Sequence, residues 1–598
     1  MLNRGPSTSI RPGEALRRSL RNGYGLDAFR GDLSAGLVVG IVAVPLSMAL
    51  AVASGIPPQH GLYTAIVAGV IVALLGGSRR QVTGPTAGFV VILVPLTMQF
   101  GLAGLLIATA MAGLIQMMMA AIGAGRLIQY VPYVVTTGFT SGIAIVLVTL
   151  QVRDFFGLEL DTLPHNTPER VVELARSLPT VNWADVAIGV LTLLALIYWP
   201  RRFRRIPAPL AALVIGGVAA WLSQRLLPGV DLATIRSEFG TDDHPHGIPQ
   251  VPPLPQWPWQ QSGPEGAGLV LNFETMRELV LAAIAIAILG AIESLLSALA
   301  ADGMSDDDHD PDAELFAQGA GNLLVPFFGG IPATGSIART SANIRHGARS
   351  PIAAVAHGVF ILGAVLLLAP LLGFLPMAAL AALLVRVAWN MSGARHFVHV
   401  VRVAPRSDVL VLLVCFGLTM LFDMVVAVTV GVVLAALLFM RRMAETANVT
   451  KIDNGDDERG DDVPPGVLVY EVAGPMFFGA AHKAMSTIRA DRSDAQIVVI
   501  DMRSVPVLDM TGLVNLESAL NRLVKQNIYV VLGGVQRQPL EVMARAGLRR
   551  NRRQLISVFR SMKDAMWTTE MMSQLLVRPD RLRDRPGRRA RPKSTVQS

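Results

Sequence analysis

The sequence contains a single cysteine in 598 residues, and only 16% of its side chains are charged. One cysteine excludes an intrachain disulfide and any thiolate metal cluster, and Cys415, set in an apolar run, reads as a small apolar filler. The charge deficit is larger still in its consequences, because soluble domains carry about 25% charged residues. Also missing are a G-x-x-x-x-G-K-[ST] phosphate loop, a nucleophile–base pair and a ligand cluster for a metal, so neither an enzyme nor a cofactor is expected. His244 and His246 sit in a polar loop and read as solvated rather than as metal ligands. The basic N-terminal stretch lacks a short apolar core with a cleavage site and reads as a cytoplasmic tail.

What charge there is gathers in clusters, and the intervals between them are apolar for 20 residues or more, which is the length a helix needs to cross a bilayer. Leu33–Val52, Leu102–Ile122, Met276–Ala301, Ile352–Leu372 and Val409–Phe439 are examples; the last is long enough for two crossings, with Asp423 near the break. With a cytoplasmic N-terminus, Arg79, Arg80, Arg126, Arg201, Arg202, Arg339, Arg345, Arg395, Arg402 and Arg441 all fall inside, and Glu159, Asp161, Glu169, Asp231 and Asp242 outside. This is the positive-inside pattern, with one dissenting acidic loop, Asp302–Glu314. The net charge of +8 therefore reports topology, not a nucleic-acid partner.

Five regions follow: a cytoplasmic N-terminal region (1–30), a transmembrane domain (31–443), a polar linker (444–465), a soluble α/β domain (466–575) and a basic tail (576–598) with the composition of a disordered segment. In the α/β domain Val467–Val472, Ile497–Ile500 and Ile528–Leu532 read as strands and Met510–Lys525 as a helix.

Two apolar stretches are interrupted by glycine and proline: Thr83-Gly84-Pro85-Thr86-Ala87-Gly88 and Gly329-Gly330-Ile331-Pro332-Ala333-Thr334-Gly335-Ser336. Matching breaks in two halves of a membrane protein suggest an inverted repeat with the substrate between the halves. Each break would leave a helix N-terminus in mid-membrane, whose free N–H groups and dipole favour an anion. Thr86, Ala87, Ala333, Thr334, Gly335 and Ser336 are thus the expected substrate contacts, joined by Ser47 next to Pro45, which lets the first crossing bend around the site. Glu293, deep in an apolar segment, is a costly residue to hold there and hence a functional candidate. Burial disfavours its charged form, so it is the expected carrier of a coupling proton or partner of a coupling Na⁺. Ser297 lies one turn on, and Arg339 follows Ser336 as a substrate contact or a helix-end marker.

Pro45 with Met48-Ala49, Gly55-Ile56-Pro57-Pro58, Gly61-Leu62-Tyr63, Gly84-Pro85-Thr86, Gly290–Leu296 and Gly329–Arg339 together resemble the SulP (SLC26) anion-transporter family, and residues 465–575 resemble the STAS domain that ends most of its members. The resemblance implies fourteen membrane segments in two inverted sets of seven, a core moving against a gate by a rocking or elevator motion, and a homodimer in a bacterial cytoplasmic membrane with both termini inside. It also implies a site between the third and tenth helices, with the acidic residue of the eighth, here Glu293. Within the family, Gly76-Gly77-Ser78-Arg79, Gly84-Pro85-Thr86-Ala87, Gly290–Leu296, Phe327–Ile331, Ala388–Ser392 and Leu421–Val425 are most similar to the C4-dicarboxylate (succinate) branch, implying proton-coupled uptake of succinate, fumarate or aspartate. Sulfate or bicarbonate transport with H⁺ or Na⁺ is the alternative inside the family, and an anion sensor with a STAS output the alternative outside it. In the STAS-like region Asp509-Met510-Thr511-Gly512 stands where soluble relatives carry a phosphorylated serine; Thr511 is a candidate acceptor or part of a helix cap, and a cytosolic regulatory partner is implied.

Overall fold

The computed structural model describes residues 11–577 except 127–130, 161–163, 165–166, 204–205, 228–230, 267, 423, 447, 453–462, 478–494 and 549–554. Asp423, the tail after 577 and the middle of the linker lie outside the described residues. The chain divides into two compact units, residues 1–435 and 436–598.

In the first unit, α1 (Glu14–Arg21) precedes the apolar helices α2 (Leu26–Ala53) and α3 (Gln59–Leu75). A two-residue strand, β1 (Thr83–Gly84), leads into α4 (Ala87–Ala121). Then come α5 (Tyr133–Phe156), α6 (Thr167–Arg176), α7 (Trp183–Arg202), α8 (Ala208–Leu226), the short α9 (Ile235–Phe239), α10 (Phe273–Ser305) and α11 (Pro311–Leu324). A second two-residue strand, β2 (Thr334–Gly335), leads into α12 (Ile337–Arg345), and α13 (Ile352–Leu372), α14 (Met377–Ser392), α15 (Ala394–Val403), α16 (Arg406–Leu421) and α17 (Met424–Thr446) complete the set.

Among the described residues nine helices are long and apolar enough to cross a membrane, which corrects the expected fourteen in two sets of seven. The expected number came from the family resemblance, with every segment taken as a full crossing. The chain instead spends several of them on shorter pieces, such as α11 with 14 residues and α12 with nine. The 35-residue stretch α4 is itself two helices joined at Gly101, whose φ of 64° and ψ of −167° are open to glycine.

α10 and α11 pack on α4, α13 lies against α2 and α3, and α14 and α16 flank α5. Small residues make these approaches close: a Cβ on Gly113 of α4 would lie 2.2 Å from the Leu323 backbone nitrogen, so α4 and α11 meet backbone to backbone.

The acidic loop after α10 no longer dissents, because it is neutralised locally. Asp307 pairs with Arg79 at 3.5 Å, Asp312 with Arg126 at 3.0 Å, and Arg80 donates to the Ser305 carbonyl at 3.1 Å. The His309 ring nitrogen Nδ1 lies 2.5 Å from Asp302.

The second unit holds a five-stranded sheet in the order β3-β4-β5-β6-β7, made of β3 (Asn448–Ile452), β4 (Val467–Ala473), β5 (Ile497–Ser504), β6 (Tyr529–Gly533) and β7 (Ile556–Val558). β3 joins antiparallel and the other pairs are parallel. α18 (Met510–Lys525), α19 (Arg537–Arg545) and α20 (Met562–Val577) accompany it. Alternate residues of each strand feed separate clusters on the two faces: Val498, Ile500 and Val530 pack with Leu516 and Leu520 of α18, and Val499 and Val531 with Ala565 of α20.

Candidate functional site

The two interrupted segments meet. β1 and β2 pair antiparallel, with Thr83 opposite Gly335 and Gly84 opposite Thr334. Antiparallel strands send their following helices in opposite directions, so α4 and α12 both start at this small sheet. The first N–H groups of each helix have no intrahelical partner.

Non-helical backbone inside a membrane domain must find hydrogen bonds elsewhere, and buried amides supply them. Asn322 accepts from the Ala333 N–H at 2.8 Å and, with Gln318, donates to the Ala333 carbonyl. Thr64 of α3 accepts from the Ile331 N–H at 2.7 Å. Before the other break, Glu314 accepts from the N–H groups of Gly77 and Ser78, both at 2.9 Å, and from the Gln81 side chain at 2.8 Å. Gln81 also donates to Ser294 of α10, next to Glu293. Sequence reasoning overlooked this ladder. The available clue was Glu314, Gln318 and Asn322, three polar side chains at four-residue spacing on one face of α11.

Two charged groups stand at the junction. Glu293 on α10 is half-buried and accepts a hydrogen bond from Thr86 at 2.9 Å. It lies so close to the start of α4 that a Cβ on Gly88 would sit 1.8 Å from its Oε1. Arg339, in the first turn of α12, is buried at 3% exposure. Its Nη2 donates to the Pro85 carbonyl at 3.0 Å and to Ser47 of α2 at 3.3 Å, while Nε and Nη1 have no hydrogen-bond partner among the described residues. Nη1 rests on Gly84, where a Cβ would come within 2.2 Å of it. Arg339 is therefore no helix-end marker: it reaches across from the second break to the first.

The remaining candidates divide. Ser47, Thr86, Ala87 and Ser336 stand at the junction, Ser336 accepting from the Arg339 N–H as the cap of α12. Thr334 is committed elsewhere, donating to the Gly290 carbonyl at 3.1 Å. Ala333 has both backbone groups bonded to the amide ladder, and Gly335 lies in the strand pair. Ser297 contacts Thr340 of α12 at 3.3 Å rather than Glu293. In the second unit Thr511 is exposed at the start of α18, whose cap is made by Asp509, accepting from the Gly512 N–H at 2.6 Å.

Residues 29–415 match the Sulfate permease family and residues 461–565 the STAS domain. The "Putative sulfate transporter YvdB" of Bacillus subtilis is 37% identical over 532 residues, 88% of this chain and 95% of that protein. The bicarbonate transporter BicA of Picosynechococcus is 29% identical over 86% of this chain and 90% of its own length. Among solved structures, murine Slc26a9 superposes with a TM-score of 0.80 over 95% of this chain and 97% of that one at 19% identity, which bears on the fold alone. The transmembrane domain of a cyanobacterial BicA gives 0.56 over 69% of this chain and 98% of that one at 25% identity. These matches overturn the expected succinate branch. Some of the stretches that suggested it, Gly84–Ala87 and Gly290–Leu296 with Glu293, are at the junction itself, but a shared backbone break and a shared acidic residue do not choose among anions; others, such as Ala388–Ser392 at the end of α14, belong to other helices. The chain is a multi-pass membrane protein that belongs to the sulfate permease (SulP, SLC26) family of anion transporters and carries a STAS domain after its membrane helices.

Proposed function

We propose that this protein is a secondary active transporter of a small inorganic oxyanion of the sulfate class, bound between the N-termini of α4 and α12 and driven by protons carried on Glu293. The observation that carries the reading is Arg339: a buried guanidinium at the junction of the two breaks, with two donor nitrogens unpartnered among the described residues. A planar guanidinium presents parallel donors that match an oxyanion. The first-turn N–H groups of both helices add a second, weaker positive field. Ser47, Thr86, Ala87 and Ser336 complete the proposed shell; Ala333, Thr334 and Gly335 shape it through backbone pairing, and Ser297 steadies α12 beside Glu293.

Sulfate is preferred because the relative at 37% identity is described as a sulfate transporter. Bicarbonate, with H⁺ or Na⁺, is the second reading, favoured by the relatives at 29% and 27% identity. The paired breaks with their shared ladder support transport by an elevator motion, in which the small sheet and its helices move as a block. Cytoplasmic termini rest on the arginine distribution; the homodimer and a cytosolic partner for the STAS domain, with Thr511 as its modification site, rest on the family resemblance.

The test is uptake of labelled sulfate and labelled bicarbonate by purified protein in liposomes, with proton and sodium gradients imposed separately. Proton-dependent sulfate accumulation is expected. Sodium-dependent bicarbonate accumulation without sulfate uptake would replace the substrate and ion, and saturable binding without net flux of either would overturn the transport reading.

A further inference from the structure

α15 is ten residues long, about 15 Å, and cannot cross a bilayer. By length and composition 377–403 counts as one membrane span, but Gly393 has a left-handed backbone with φ 52° that separates α14 from α15. No residue of α15 is buried, yet it is held in place. Tyr133 at the start of α5 is hydrogen-bonded to His396 at 2.7 Å, Phe397 packs on Phe416 of α16 with centroids 5.2 Å apart, and Ser141 donates to the Ser392 carbonyl at 2.8 Å.

With His396 and Phe397 turned to the protein, helical spacing fixes the other faces. Arg395, His399 and Arg402 recur at i, i+4 and i+7 and form one stripe. Val398 and Val401 form the neighbouring ridge and are exposed, as are Val403 and Trp389. From Met377 to Ser407 the sequence has Arg386, Arg395, Arg402 and Arg406 and no acidic residue. None of these four arginines makes an ion pair or a side-chain hydrogen bond among the described residues, unlike Arg79, Arg80 and Arg126. A short docked helix with an apolar ridge beside a basic stripe has the character of an interfacial helix.

We propose that α15 lies in the membrane surface on the arginine-rich side and binds the phosphates of anionic phospholipids through Arg395 and Arg402, with Val398, Val401 and Trp389 seated at the acyl boundary. The lipid then braces α15 against α5 and α16. Lipid is the fitting occupant because the basic stripe and the exposed apolar ridge are adjacent, and a phospholipid satisfies both at once.

The experiment uses the full chain in nanodiscs of phosphatidylcholine alone or mixed with phosphatidylglycerol, reading retained lipid by native mass spectrometry and the thermal midpoint. Wild type should retain phosphatidylglycerol and gain stability from it. Arg395→Gln with Arg402→Gln should weaken retention about 25-fold, at about fivefold for each arginine. Arg395→Lys with Arg402→Lys should retain the lipid, and the charge-matched Arg522→Gln with Arg545→Gln should behave as wild type. Equal retention by the glutamine pair and wild type would overturn the proposal. So would equal stabilisation by pure phosphatidylcholine, or by water-soluble glycerol phosphate, which has the phosphate without the chains.

Discussion

The two breaks in the membrane helices share a backbone plan and divide the chemistry between them. Each is a two-residue strand followed by a helix, and the two strands pair with each other. At the first, the hydroxyl of Thr86 leaves its own helix uncapped by a side chain and bonds to Glu293. At the second, Ser336 caps its own helix, and the charged residue, Arg339, belongs to that helix and reaches back to Pro85. One break thus holds an acid supplied from elsewhere, while the other supplies the base. A paired backbone alone would bind any anion; on the proposed reading, the unequal side chains would let the site bind an anion with one half and handle a proton with the other.

That division can be broken from either side. Arg339→Gln should have the largest effect, lowering the apparent sulfate affinity about 30-fold or more, since it removes a buried charge from its ligand. Arg339→Lys should recover part of it; the concentration dependence of uptake measures both. Glu293→Gln keeps an acceptor for Thr86 and should abolish accumulation driven by a proton gradient while sulfate exchange at equal pH persists. Full gradient-driven accumulation by this variant would remove Glu293 from the coupling.

A third test concerns the lead-in to the first break, for which the second has no counterpart. Burial alone would lower the pKa of His309, but its hydrogen bond to Asp302 and the charges of Asp302, Glu314 and Asp310 outweigh that and hold it above the usual histidine value. A raised histidine stabilises fully below its unfolded value of about 6.5 and loses that contribution as pH rises through the folded value. Hydrogen exchange of residues 306–310 should therefore quicken, beyond its intrinsic pH dependence, as pH rises above the ordinary histidine value, and His309→Gln should remove the excess. The smallest effect is expected from Ser336→Ala, which loses a cap of about 1 kcal/mol and one hydroxyl of the proposed shell, and should lower the thermal midpoint and weaken the apparent sulfate affinity slightly with proton coupling intact.

The breaks and Glu293 were legible because glycine, proline and a lone carboxylate contrast with apolar surroundings. The bounds of α18 were legible because Asp509 and a 3.6-residue apolar period mark them. The number of crossings was not, because hydropathy does not show that α11 stops after 14 residues or α12 after nine. Nor was the amide ladder, whose meaning depends on which carbonyl lies opposite, as Ala333 does to Gln318 and Asn322. Ser297 lies one turn from Glu293 as its spacing requires, but helical spacing gives a face and not the neighbour on it, which is Thr340. Substrate choice was misread because similarity in the scaffold of a break says little about what the break holds.

Because Arg339 is part of the paired breaks, under the proposed cycle the membrane potential would act unequally on the two directions of travel. With Glu293 ionised and no anion bound, the junction is neutral. With Glu293 protonated and a divalent oxyanion bound, it carries one negative charge. Under the proposed cycle the empty carrier returns without electrical work, and the loaded one works against an inside-negative potential, at up to about 2.3 kcal/mol per 100 mV if it crosses the whole field. The import of sulfate would then slow with hyperpolarisation, while a monovalent anion on the same carrier would cross as a neutral complex and be indifferent to the potential.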